Sequence, residues 1–107
     1  MSLDILEFIK SCVKKQKIVW TYHVNMRLEG RHIPRESLLF SADTYEIIEE
    51  YPADKYLPSY LIYAKYDEQF IHLQVAVDEE NDLVRIVTAY RPTLDKWESD
   101  YKTRRTK

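Results

Sequence analysis

His23, Arg27 and Arg31 follow one another at steps of four residues. In a helix that spacing stacks side chains along one stripe. Val24 and Leu28 point about a quarter-turn away, toward a core. The basic stripe therefore borders a buried face. A histidine can transfer a proton near neutral pH, and an arginine can hold a phosphate through two N–H groups. Cleavage of a phosphodiester by the neighbouring ribose 2′-hydroxyl needs both a proton shuttle and charge stabilisation. The same stripe also fits an ordinary basic helix face carrying a hydrogen-bonded histidine.

A second group, Thr88, Tyr90 and Arg91, closes the last extended stretch of the chain. Tyrosine can exchange a proton or stack on a base, and Arg91 can turn toward a cleft from a strand end. The plainer alternative is an aromatic at the core edge beside a solvated charge. His72 and Gln74 share one face of a strand, either lining a site or forming the wet side of the sheet, and the wet side is the expectation. Lys55 lies among Tyr51, Tyr56 and Tyr60, in a chain with nine tyrosines. That mixture suits base stacking or a protein-binding surface. The substrate-binding candidates are thus Arg31, Lys55, His72, Thr88 and Arg91. His32 precedes Pro34 and is given no role. The three histidines lack the spacing of metal sites, so neither metal nor other cofactor is expected.

Composition narrows the classes. The 107 residues suit one domain. Hydrophobic residues make up 45% and charged residues 32%, which excludes a disordered chain. Net charge is −2, so nucleic-acid binding would rest on a local patch. The single cysteine, Cys12, excludes a disulfide framework and suits a reducing compartment. No signal-peptide pattern opens the chain, and no apolar run nears the roughly 18 residues of a membrane span. A cytoplasmic protein without membrane contact is expected. One glycine, Gly30, is too few for a phosphate-cradling loop.

The elements that would hold these residues are legible in outline. Asp4 and Glu7 form a capping pair ahead of Ile5, Phe8, Ile9, Cys12 and Val13, whose spacing predicts a helix over 4–15. Thr21 caps a second, over 22–29, that stops at Gly30. Pro34 opens a third, through about Ala42. Beyond Asp43 the pattern alternates. Tyr45–Tyr51 reads as an edge strand carrying Glu46, Glu49 and Glu50, an acidic edge that could suit a basic partner. Tyr60–Tyr66, Phe70–Val77 and Leu83–Tyr90 read as strands joined by short turns. In the last, Val84, Ile86, Thr88 and Tyr90 are expected on one face. The expected fold is α+β: short N-terminal helices, then a four-stranded antiparallel sheet, with helices confined to the first 43 residues apart from a turn near Trp97. The basic tail, 98–107, adds phosphate affinity or stays solvated, while Trp97 and Tyr101 suggest that it docks.

The run Tyr22-His23-Val24-Asn25-Met26-Arg27, then Gly30-Arg31-His32-Ile33-Pro34, then Val87-Thr88-Ala89-Tyr90-Arg91-Pro92 resembles the family called Domain of Unknown Function 4258. The likeness runs from about Trp20 through Trp97. That family resembles the toxin-nuclease group of barnase, EndoU, colicin RNase domains and RelE. The resemblance implies a RelE/barnase-like fold, an RNA target and metal-independent endoribonuclease chemistry. It further implies a toxin–antitoxin or polymorphic-toxin setting, with a small zinc-finger antitoxin-like protein as partner. It carries His23 and Arg27 over as site residues, with Thr88, Tyr90 and Arg91 opposite. His23 would be general acid or base, Arg27 and Arg91 would hold phosphate, and Tyr90 would stack or donate a proton. The alternative is a non-catalytic protein- or RNA-binding module of the same fold.

Overall fold

The computed structural model describes residues 4–53 and 56–105. Its elements are α1 (Ile5–Lys14), β1 (Ile18–Trp20), α2 (Tyr22–Gly30), α3 (Arg35–Phe40), a 3-10 turn (Ala42–Thr44), β2 (Glu46–Tyr51), β3 (Ser59–Tyr66), β4 (Gln69–Asp78) and β5 (Leu83–Tyr90). The caps are those the sequence calls for. The Asp4 carboxylate accepts from the Glu7 N–H at 3.2 Å, and Thr21 Oγ1 from the Val24 N–H at 3.1 Å. The α2 helix stops at Gly30, as the sequence calls for, but the manner of its ending differs. Gly30 stays in the helix, and a Cβ there would meet nothing within 4 Å. The left-handed turn falls instead on His32, at φ 56°, a conformation histidine enters more readily than most residues.

The sheet has five strands in the order β1-β5-β4-β3-β2. The expected antiparallel meander is present as β2–β5. The expectation of four strands, all antiparallel, is corrected by β1, which pairs parallel to β5 with Ile18 opposite Val84 and Trp20 opposite Ile86. Three residues are too few to show an alternation, and their partner lies at the far end of the chain, so no local signal marks them.

A second correction concerns β5. Between Gln74 and Val75 the register with β5 slips, so that Ile86 and Thr88 face consecutive residues of β4. The bulge at Val87 reverses the alternation. Val84 and Ile86 enter the core, Ala89 follows them, and Thr88 and Tyr90 turn to the opposite face beside Gln74 and His72.

The helices cover one face of the sheet. Ile9, Val13, Val24, Leu28 and Leu38 pack with Ile62, Ile71, Leu73, Val75 and Ile86. The other face is not wet, as expected, along its whole length. The C-terminal segment crosses it: Trp97 is 2% exposed, Tyr101 stacks on Phe70 at 4.7 Å, and Lys102 lies 4.7 Å from the Tyr63 ring. Lys102 pairs with Glu46 at 2.7 Å and Arg104 with Glu49 at 2.9 Å. The acidic edge strand thus receives this chain's own cations. No helix among the described residues is long and apolar enough to cross a membrane.

Candidate functional site

Where β1 ends, opposite Ile86, the outer edge of β5 loses its strand partner. Arg31, just past α2, takes over: its Nη1 donates to the Ala89 carbonyl at 2.6 Å and to Thr88 Oγ1 at 3.3 Å. Arg91 closes the loop from the other side. Its guanidinium donates to the carbonyls of Arg31 (2.7 Å) and His32 (2.9 Å) and to Gln69 Oε1 (3.2 Å). The end of α2 is thereby tied to the end of β5 by two arginines whose positions are fixed by packing and hydrogen bonds.

These residues line a cleft of about 450 Å³ with Tyr90, Pro92, Thr93, Lys96, Trp97 and Arg104. Four cations converge there and no carboxylate belongs to the lining. Arg104 is held bidentately by Glu49, at 2.9 and 3.0 Å, and lies 4.6 Å from the Trp97 ring. That partnership raises the Arg104 guanidinium and lowers the Glu49 carboxyl. Lys96 has no ion-pair partner among the described residues. An open cleft with guanidinium groups held in place by hydrogen bonds suits an anion.

Tyr90 sits at the cleft and His72 lies behind it, fully buried. The Tyr90 hydroxyl is 3.3 Å from His72 Nδ1, and His72 Nε2 is 2.6 Å from the Tyr101 carbonyl. Trp97 meets the imidazole edge-on at 4.4 Å. Burial lowers the His72 pKa, against the opposing effects of the Tyr101 carbonyl and Glu49. Burial likewise raises the Tyr90 hydroxyl.

Of the expected site residues, the cleft gathers Arg31, Tyr90 and Arg91, with Thr88 touching Arg31. His72 reaches it only through Tyr90. His23 and Arg27 are exposed, bonded to each other at 3.0 Å, and are not among the residues that line the cleft. At 1.5 Å per residue, the eight residues from His23 to Arg31 span about 12 Å along α2. Lys55 lies outside the described residues.

A larger hollow of about 640 Å³ occupies the uncovered end of the outer sheet face, lined by Ser59, Ala76, Asp78, Arg85 and Val87 with Tyr56 and Leu57. It opposes one acid to one base and gathers none of the expected site residues. Among the described residues no group of three or more His, Cys, Asp or Glu could hold a metal.

A family model described as Domain of unknown function (DUF4258) matches residues 20–91. The chain belongs to this family. Comparison with curated proteins and with solved structures gives no match. The DUF4258 region contains the α2 stripe, His72, Thr88, Tyr90 and Arg91. Lys96, Trp97 and Arg104, which complete the cleft, lie past it. In the sequence the basic residues after Trp97 and the spacing of Trp97 and Tyr101 signalled a docking segment, but not that it folds back over His72 on β4. The pairing of Tyr90 with His72 depends on the bulge at Val87, which has no sequence signature here.

Proposed function

We propose that this DUF4258 protein is an endoribonuclease that cleaves RNA through the ribose 2′-hydroxyl without a metal ion. The observation that carries the proposal is that Arg31, Arg91, Lys96 and Arg104 line one cleft together with Tyr90. The guanidinium groups would bind the scissile phosphate and the charge that grows on it. A cleft of cations disfavours a divalent ion and favours a polyanion. Tyr90 is the proton-transfer group within reach, and Trp97 supports Arg104. Helices packed on one face of a mainly antiparallel sheet are what the reading of a RelE/barnase-like toxin with a restraining partner protein starts from.

His23 and Arg27 take a different place in this reading. His23, about 12 Å along α2 from Arg31, does not line the cleft that holds Tyr90, and Arg27 is bonded to His23. The pair would hold the adjoining stretch of the same strand, beside Tyr22 and Met26, which are 70% and 54% exposed and suited to stacking.

The test is labelled RNA incubated with purified protein, with and without chelator, alongside Tyr90→Phe and His23→Ala. Wild type should give cyclic or 3′-phosphate ends in chelator and leave DNA intact, since DNA lacks the nucleophile. Tyr90→Phe should lose on the order of 10²–10⁴-fold in rate, and His23→Ala mainly affinity. A larger rate loss in His23→Ala than in Tyr90→Phe moves proton transfer back to α2. Tight RNA binding without cleavage favours the alternative, an RNA-binding module of the same fold.

A further inference from the structure

We infer that His72, although sealed from solvent, is the proton acceptor behind Tyr90, so that Tyr90, His72 and the Tyr101 carbonyl form a relay at the floor of the cationic cleft. The inference rests on the reading of that cleft as an RNA-cleaving site.

The hydrogen-bond directions follow from chemistry alone. A backbone carbonyl can only accept, so the 2.6 Å contact to Tyr101 fixes the proton on His72 Nε2. In the neutral imidazole Nδ1 is then the acceptor, and the group 3.3 Å from it is the Tyr90 hydroxyl. A substrate-facing hydroxyl, a base behind it and a third group orienting the base is the arrangement by which proteins activate weak acids. Here Tyr101 is the orienting residue, itself pinned by its stack on Phe70. Trp97 closes the other side of the ring at 4.4 Å and is itself buried. The ring is thereby held in one orientation and one tautomer.

The steps balance. The 2′-oxygen forms a bond to phosphorus while its proton passes to the Tyr90 oxygen, and the Tyr90 proton passes to His72 Nδ1. As the bond from phosphorus to the 5′-oxygen breaks, the proton returns through Tyr90 to that oxygen. The products are a 2′,3′-cyclic phosphate and a 5′-hydroxyl, and both side chains regain their starting forms. His72 is a cation only in passing. The groups around it at that moment are Tyr90 from β5, Tyr63 opposite it on β3, Glu49 on β2, and Trp97, Tyr101 and Arg104 from the C-terminal segment. Of these, Glu49 favours the charged ring and Arg104 opposes it. His72 touches no substrate and is a positioning residue.

A buried histidine that merely anchors the C-terminal segment would need Nε2 alone. The test therefore reads Nδ1. Nitrogen and proton spectra of ¹⁵N-histidine-labelled full chain are recorded across pH for wild type and Tyr90→Phe, and RNA cleavage is measured for Tyr90→Phe, His72→Gln and the double variant. The amide introduced by His72→Gln would keep an N–H for the Tyr101 carbonyl and remove the base, and thermal melting checks that the variants fold. Expected are an Nε2–H tautomer at neutral pH, an Nδ1 signal that moves when Tyr90 loses its hydroxyl, and losses on the order of 10²–10⁴-fold in each single variant that do not multiply in the double. An Nδ1–H tautomer, an Nδ1 signal indifferent to Tyr90→Phe, or losses that multiply overturns the relay. Wild type that cuts no RNA while the tautomer and the Nδ1 response hold overturns the nuclease reading, not the Tyr90–His72 pair.

Discussion

His72 is neutral because it is buried, and this has a thermodynamic consequence separate from catalysis. Its folded pKa lies below its ordinary value, chiefly through desolvation. In the unfolded chain it titrates near 6.5. Between the two values the unfolded state binds more protons, so stability rises with pH and is lost as pH falls below about 6.5. The exposed carboxylates whose pKa values are lowered, such as Asp43 and Asp82, act in the same direction but at lower pH, below their ordinary values near 3.8. Melting temperature should therefore fall between about pH 7.5 and 5.5 in wild type and stay nearly flat in His72→Gln. A wild-type melting temperature unchanged across that range would mean His72 stays neutral in both states or charges without cost. Arginine and lysine in the cleft separate in the same way. Arg91 donates to two backbone carbonyls and to Gln69, so Arg91→Ala should cost about 1–2 kcal/mol in denaturant unfolding. Lys96→Ala removes no ion pair formed among the described residues and should change stability by less than about 0.5 kcal/mol while weakening RNA binding.

At the scale of elements, the C-terminal segment does most to make the site. Trp97 fills the outer face against His72 and carries Arg104, whose backbone bridges back to it. Trp97→Ala should cost about 3–5 kcal/mol and free Arg104 from its place at the cleft. Urea titration with circular dichroism measures the first, and loss of RNA binding at a temperature where the variant remains folded measures the second. A loss of less than about 1 kcal/mol would show that the segment does not pack on the sheet in solution. This element also marks the limit of what the chain's letters reveal. The α1 and α2 caps, the strands β3–β5 and the edge position of β2 were legible because each depends on neighbours within a few residues. Arg31, Tyr90 and Arg91 were legible as candidates for the same reason: stripe spacing and strand-end position. What was not legible is non-local. β1 is a three-residue strand whose partner is β5, the bulge at Val87 shows only in the register of β5 against β4, and His72 looks solvent-facing until Trp97 and Tyr101 fold over it. Each misreading came from alternation interrupted, or a face covered, by something distant in sequence.

The whole molecule is weakly acidic, net −2, and yet carries a cleft of one sign. Its global field therefore does not draw RNA to it, and the attraction is local and short-ranged. Self-pairing sharpens the contrast. Lys102, Arg104 and Arg105 of the tail are matched by Glu46, Glu49 and Glu98, as Lys14 and Lys17 are by Asp43 and Asp82, so these tail cations lend little charge of their own. Arg31, Arg91 and Lys96 are the lining cations without a carboxylate among the described residues. Binding of a single strand releases counterions in proportion to the phosphates neutralised, with a logarithmic salt slope of about −0.7 for each. Three such cations predict a slope of about −2. The measurement is fluorescence anisotropy of a short labelled RNA with Tyr90→Phe, which should bind without cutting, over a series of salt concentrations. A slope near zero removes phosphate recognition from the cleft and leaves the outer sheet face as a protein-binding surface. A slope steeper than about −3.5 requires at least two further cations, and the α2 stripe, which carries Arg27 and His23, is where they would come from. Repeating the series with Arg27→Ala then distinguishes one cleft from a continuous track along α2: a slope that relaxes by about 0.7 assigns part of the excess to the helix.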